Sequence, residues 1–162
     1  MSEGQLGGTM GAQINGQCQC GQSQFSLSRM PTRRFLCHCT ICQGVYKAPF
    51  ADVLVTSAKS ATIASEHSLE FKRLNGEKSV DRGVCSQCET PTIGFLQVLP
   101  GVKLGLVPSA RLAGAAGLPD PAMHIFYESR VADVRDNLPK YETPGQSIRA
   151  CLLPFLAGFA GL

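Results

Sequence analysis

At 162 residues and 44% hydrophobic content, the chain is long enough to bury the core of one domain and too apolar to be disordered throughout. The formal charge is only +3, and seven metal-bound thiolates with two divalent cations would bring it to zero, so charge gives no case for a nucleic-acid partner. No stretch is long and apolar enough to span a membrane.

Met1 to Ala12 is small, polar and Gly-rich and reads as a disordered tail. It has no positive n-region followed by an apolar stretch, so the expected setting is reducing and cytoplasmic. In that setting the eight closely spaced cysteines point to metal before disulfides. The main domain is placed at 13–144, with an apolar helical extension at 145–162.

In Gln13 to Leu27, Phe25 and Leu27 alternate with polar residues, the pattern of a half-buried strand. Gly16 and Gly21 bracket Cys18-x-Cys20 and suggest a tight turn there. In extended backbone residues two apart face the same way, so Cys18 and Cys20 can share one metal. Pro31 breaks the chain, and Arg34 to Leu36 leads into Cys37-His-Cys39-Thr-Ile-Cys42, after which a bend is expected at Gly44. Phe50 to Thr56 and Leu69 to Leu74 read as further strands. Asn75-Gly76 signals a hairpin turn into a strand at Lys78 to Val84.

Cys85-Ser-Gln-Cys88 closes that strand with zinc-knuckle spacing. Thioredoxin-type redox chemistry is the competitor, but it expects a helix after the pair, and Glu89-Thr90-Pro91 with another strand-like run to Val98 follows instead. Val102 to Val107 is a short strand. Ser109 to Pro121 is a loop with one helical turn at most, and His124 to Glu128 is a last strand. Asp136-Asn-Leu-Pro139 is a turn. These elements describe a mainly-β fold. In the tail, Ile148, Cys151, Leu152, Phe155, Leu156 and Phe159 recur at roughly helical spacing, with Pro154 interrupting. A helix packed on the sheet, a homodimer contact and a lid over the site are three readings of it.

The cysteines divide into two pairs, a triplet and a single residue. Structural zinc wants two pairs, each on a turn, which Cys18, Cys20, Cys85 and Cys88 supply. Cys37, Cys39 and Cys42 are left without a fourth cysteine unless Cys151 folds back, and an open fourth position separates a catalytic zinc from a structural one. Cys151, in apolar surroundings, reads as a small core residue. His38 lies between two ligands in extended backbone and should point away from the metal. His124 is the more plausible fourth ligand or acid–base group, against the reading of a structural histidine.

Gly16-x-Cys18-x-Cys20-Gly21, Cys37-His-Cys39-x-x-Cys42, Arg82-Gly-Val-Cys85-x-x-Cys88, His124-Ile-Phe-x-x-Ser129-Arg130 and Asn137-Leu-Pro-Lys-Tyr-Glu142 occur in this order. Together they resemble the glutathione-dependent formaldehyde-activating enzyme family, which shares its domain with centromere protein V, over about Ile14 to Glu142. The resemblance implies a β-tent fold of short antiparallel sheets, a structural zinc on four cysteines and a second zinc on the triplet. It also implies carbon–sulfur lyase chemistry joining formaldehyde to glutathione as co-substrate.

The chain departs from that family at Lys47 and Glu89, where glycine is usual, and at Val131-Ala132 in place of Pro-Trp. Its apolar tail also runs past the family's usual end. Lys47 follows the triplet closely, so it reads either as a partner for an anionic substrate group or as a solvated side chain. Glu89 implies an altered knuckle turn or strain. The expected function is a zinc-dependent lyase-type enzyme acting on glutathione or its adduct. The alternatives are a divergent zinc enzyme for another small carbonyl compound or thiol, in a specialised (secondary-metabolite) pathway, and a non-catalytic zinc-fold binding protein. The last would want a basic, aromatic-lined face, which the sequence lacks.

Overall fold

The computed structural model describes residues 13–64, 66–74 and 80–159, and of Glu66 and residues 155–159 the backbone alone. The tail at 1–12 and the turn at Asn75-Gly76 lie outside the described residues. Ten strands are described: β1 (Ile14–Gln17), β2 (Gln24–Leu27), β3 (Arg33–Cys37), β4 (Ala51–Ser57), β5 (Ala61–Ile63), β6 (Leu69–Lys72), β7 (Val80–Cys85), β8 (Pro91–Leu99), β9 (Val102–Pro108) and β10 (His124–Ile125). Two α-helices join them, α1 (Thr40–Tyr46) and α2 (Pro144–Phe159). The fold is mainly β, as expected.

The strands form a three-stranded sheet, β1-β2-β5, and a seven-stranded sheet, β10-β3-β4-β9-β8-β7-β6. All neighbours are antiparallel except β10 and β3, which pair in parallel through His124↔Leu36 and Ile125↔Cys37. β4 shows why its sequence reads as a nearly continuous apolar run: both its faces are covered. Leu54, fully buried, packs with Phe25, Leu27, Leu69, Ile93 and Val107 in the core that joins the two sheets. Val53, on the opposite face, packs with Cys37, Cys42, Ala51 and Ile125 in a second cluster around the triplet. At the mouth of β1, Gly16 stands opposite Phe25. A Cβ there would sit 2.2 Å from the ring, so only glycine lets Phe25 lie across the strand beside the first cysteine pair.

Three expectations need correction. Gly44 is no bend, because it lies inside α1. Cys39 caps that helix, its Sγ accepting from the Cys42 N–H. The last strand stops at Ile125, because Phe126 turns to a left-handed φ of 53° and its N–H is taken by Ser147 Oγ at 2.7 Å. Pro154 does not interrupt the tail, since α2 runs through it to Phe159. The structure also divides the strand read in Gln13 to Leu27 into β1 and β2, and adds β3 and β5, for which the sequence reading gave no strand.

Candidate metal centres

Two turns build the four-cysteine group. Cys18 and Cys20 lie between β1 and β2, a turn closed by Gly21 N–H to Cys18 O and Cys18 N–H to Ser23 O. Cys85 ends β7, and Cys88 lies in the tight turn closed by Glu89 N–H to Cys85 O. Glu89 takes a φ of 56°, a left-handed conformation that favours glycine, so the altered or strained turn expected there is present. The four sulfurs all lie within 4.8 Å of one another. Cys18 Sγ to Cys20 Sγ is 3.4 Å and Cys20 Sγ to Cys85 Sγ is 3.8 Å. Tetrahedral zinc with Zn–S bonds near 2.3 Å needs sulfur separations of about 3.8 Å, so the donor set and its spacing fit the ion. The Ser23 N–H also donates to Cys18 Sγ at 3.2 Å, a contact that suits a thiolate.

The three-cysteine group comes from the end of β3 and the first turn of α1. Cys39 at the cap and Cys42 three residues on bring their sulfurs together, and Cys37 reaches them from the strand. Their sulfurs also lie within 4.8 Å of one another, and no histidine or carboxylate joins them among the described residues. Hydrogen bonds from Cys37 and Cys42 hold the Cys39 thiol down to about 3, while the same contacts and burial push Cys37 well above its ordinary value. Three crowded thiols thus settle on one negative charge, and a divalent cation would be needed to ionise all of them. Gln43 fixes the loop from behind by donating to His38 O at 2.7 Å and Ser129 O at 2.8 Å.

The structure places His38 and His124 away from this group. His38 is 1% exposed and points off the metal side as expected, its Nε2 2.9 Å from His124 Nδ1. His124 Nε2 is 2.8 Å from Asp136 Oδ2. Both nitrogens of His124 are therefore spoken for, which leaves none to complete the triplet. Burial and then the neighbouring His124 lower the His38 ring to about 4, so it is neutral near pH 7. The Lys140 ammonium and then His124 lower Asp136 to about 2. Sequence reasoning saw Asp136 only as a turn residue. The turn is real, with Oδ1 accepting from Leu138 N–H, but nothing in the sequence shows that the other oxygen reaches His124.

A cavity of about 430 Å³ opens over the triplet, lined by Cys37, Cys39 and Cys42 together with apolar side chains of β3, β4, β8 and β9. Its other wall is α2, through Ile148, Cys151 and Leu152. Cys151 packs against the cluster around Cys37 and Cys42, and burial pushes its thiol up to about 11. Arg82 also lines the cavity and favours the negative charge on Cys39. The signal for Arg82 is its position two residues from Val80 on β7, which puts both on the cavity face. Lys47 and His124 do not line the cavity. Lys47 is exposed at the C-cap of α1, with φ 50° and ψ 44°, so the departure there is in the backbone and not in the pocket wall.

A mainly-β domain with a closed four-thiol group, and a three-thiol group opening on a cavity, defines a protein with one complete and one incomplete candidate metal site. Residues 13–129 match the family described as glutathione-dependent formaldehyde-activating enzyme, and the chain belongs to that family. It is also similar in fold to a Rhodobacter sphaeroides protein of known crystal structure, with a TM-score of 0.51 and 17% identity over 65% of this chain and 98% of that one. The chain has no match among curated proteins. Asp136, Cys151 and all of α2 lie beyond the matched residues.

Proposed function

We propose that the protein is a zinc-dependent carbon–sulfur lyase-type enzyme that makes or breaks the bond between a small thiol and an aldehyde. The observation behind it is the placing of Cys37, Cys39 and Cys42 in the wall of a cavity, with no fourth protein donor among the described residues. A zinc ion held there would supply an open coordination position and Lewis acidity, favouring the thiolate form of an arriving thiol. In the reaction the thiol sulfur bonds to the carbonyl carbon and the thiol proton ends on the carbonyl oxygen; the reverse step returns both. The chain's own contribution is to hold that sulfur in a largely apolar pocket, where Arg82 offsets the local negative charge. The family's name points to glutathione and formaldehyde as the pair. His124 and Lys47 have no contact with substrate in this reading.

Cys39→Ser tests it. Serine is itself a good helix cap, so α1 keeps its first turn while the site loses a thiolate. Zinc content should fall from two ions per chain to one, with circular dichroism unchanged and turnover of a thiol–aldehyde adduct lost. A Cys39→Ser protein that unfolds would make the triplet structural and end the catalytic reading.

A further inference from the structure

We infer that the body of the substrate is apolar, and that α2 sets this preference: the cavity takes an alkyl or aryl thiol, or its aldehyde adduct, in preference to glutathione. This rests on the function proposed above and narrows its substrate class. Glutathione brings two carboxylates, an ammonium group and two peptide units. A buried site must answer each with a hydrogen bond or a counter-charge. Among the described residues Arg82 is the one Lys, Arg, Asp or Glu of the cavity lining; Tyr46, Thr92, Gln97 and Ser147 add neutral polar groups, and most of the remaining wall is apolar, Val53, Val55, Leu104 and Leu106 among it. The volume of about 430 Å³ suits a small molecule. With one charged side chain, the cavity cannot answer all three charges of glutathione.

A further side of the cavity is α2, whose contribution is mainly apolar and whose Ile148 stays half exposed. Ile148, Cys151 and Leu152 stand three and four residues apart, one face of a helix, and all three line the cavity. Ser147 pins this face. Its hydroxyl accepts from Phe126 N–H at 2.7 Å and donates to Thr143 O at 2.8 Å. The residues that match the family end at 129, so this wall lies outside the matched segment.

Cobalt-loaded full-length protein tests the inference without turnover. A thiol that reaches the open position of the triplet changes the thiolate-to-cobalt absorption, whereas the four-cysteine group is already saturated. Ethanethiol, 1-butanethiol, 1-hexanethiol and glutathione are titrated in turn. Affinity should rise about fourfold per added methylene along the alkyl series. Glutathione should bind at least about tenfold more weakly than 1-hexanethiol, because its charges go unanswered. Leu152→Glu should cut 1-hexanethiol affinity by about tenfold or more at unchanged cobalt loading. If that variant fails to load cobalt, Leu152→Ala replaces it, with a loss of about fivefold expected. Equal affinity along the alkyl series, glutathione binding tighter than 1-hexanethiol, or no effect of the Leu152 change overturns the inference and leaves the proposed function standing. A spectrum that no thiol alters overturns the proposed function, and this inference with it.

Discussion

Replacing Cys18 by serine tests whether the four-cysteine group ties the two sheets together. Cys18 and Cys20 leave β1 for β2 in the small sheet, and Cys85 and Cys88 leave β7 for β8 in the large one. The group therefore joins segments 65 or more residues apart in sequence. The sheets also meet through the apolar packing of Phe25 and Leu27 on Leu54, Leu69 and Ile93, and the buried Ser23 hydroxyl donates to Ser68 O at 2.8 Å beside it. A structural zinc site is worth on the order of 10 kcal/mol. The net stability of a domain is only about 5–15 kcal/mol, so losing the metal consumes most of it. A serine hydroxyl does not ionise near neutral pH, and Cys18 is 2% exposed, so water cannot readily stand in for the missing sulfur. Cys18→Ser should therefore lose one zinc and melt at least about 10 °C lower, or fail to unfold cooperatively. Zinc content and thermal melting by circular dichroism are the assay. A Cys18→Ser protein that holds one zinc per chain and melts within about 3 °C of wild type would show that the sheets hold together without this metal, and would refute the reasoning.

Gly16→Ala puts a Cβ 2.2 Å from the Phe25 ring, and the overpacking should cost about 1–3 kcal/mol, read as a lower urea midpoint. Lys47→Gly relieves a left-handed residue at the exposed end of α1 and should stabilise by about 1 kcal/mol, raising the melting temperature by about 2–4 °C. Asp136→Ala removes the partner of the fully buried His124 Nε2 and should lower stability at neutral pH. The Asp136 pKa is depressed in the folded protein to about 2, so its contribution is present above the ordinary carboxylate value and lost as pH falls toward about 2. The gap between wild type and Asp136→Ala, measured by denaturant unfolding, should therefore narrow on acidification below about pH 4.

The sequence spoke most clearly where side-chain chemistry and short-range pattern coincide. The division of the cysteines into a quartet and a triplet needs only spacing and the coordination number of zinc, and the sulfurs are grouped that way. Phe25 and Leu27 alternate as a strand facing the core does, and both are buried. What stayed hidden depends on long-range placement. α1 is seven residues long with β-branched Ile41 and Val45, too short and too poor in helix formers to announce itself. It forms because Cys39 caps it and because the cluster packs Cys42 against β4. His124 looked available for the metal because its sequence neighbours say nothing of His38 and Asp136, which sit 86 and 12 residues away and take both nitrogens.

The departures from the family pattern sort by the same physics. Lys47 and Glu89 both adopt the left-handed backbone that glycine takes without cost. Each lies within five residues of a candidate ligand cysteine and sits where the chain leaves a turn or helix. Neither lines the cavity. The turn at Glu89 still closes by its N–H donating to Cys85 O, and the four sulfurs lie within 4.8 Å of one another. The chemical character of the pocket is set by residues on strands that the family match covers and by α2, which it does not. The side chains beyond the matched residues that line the cavity are Ser147, Ile148, Cys151 and Leu152, and these are the positions at which the proposed substrate preference is to be tested.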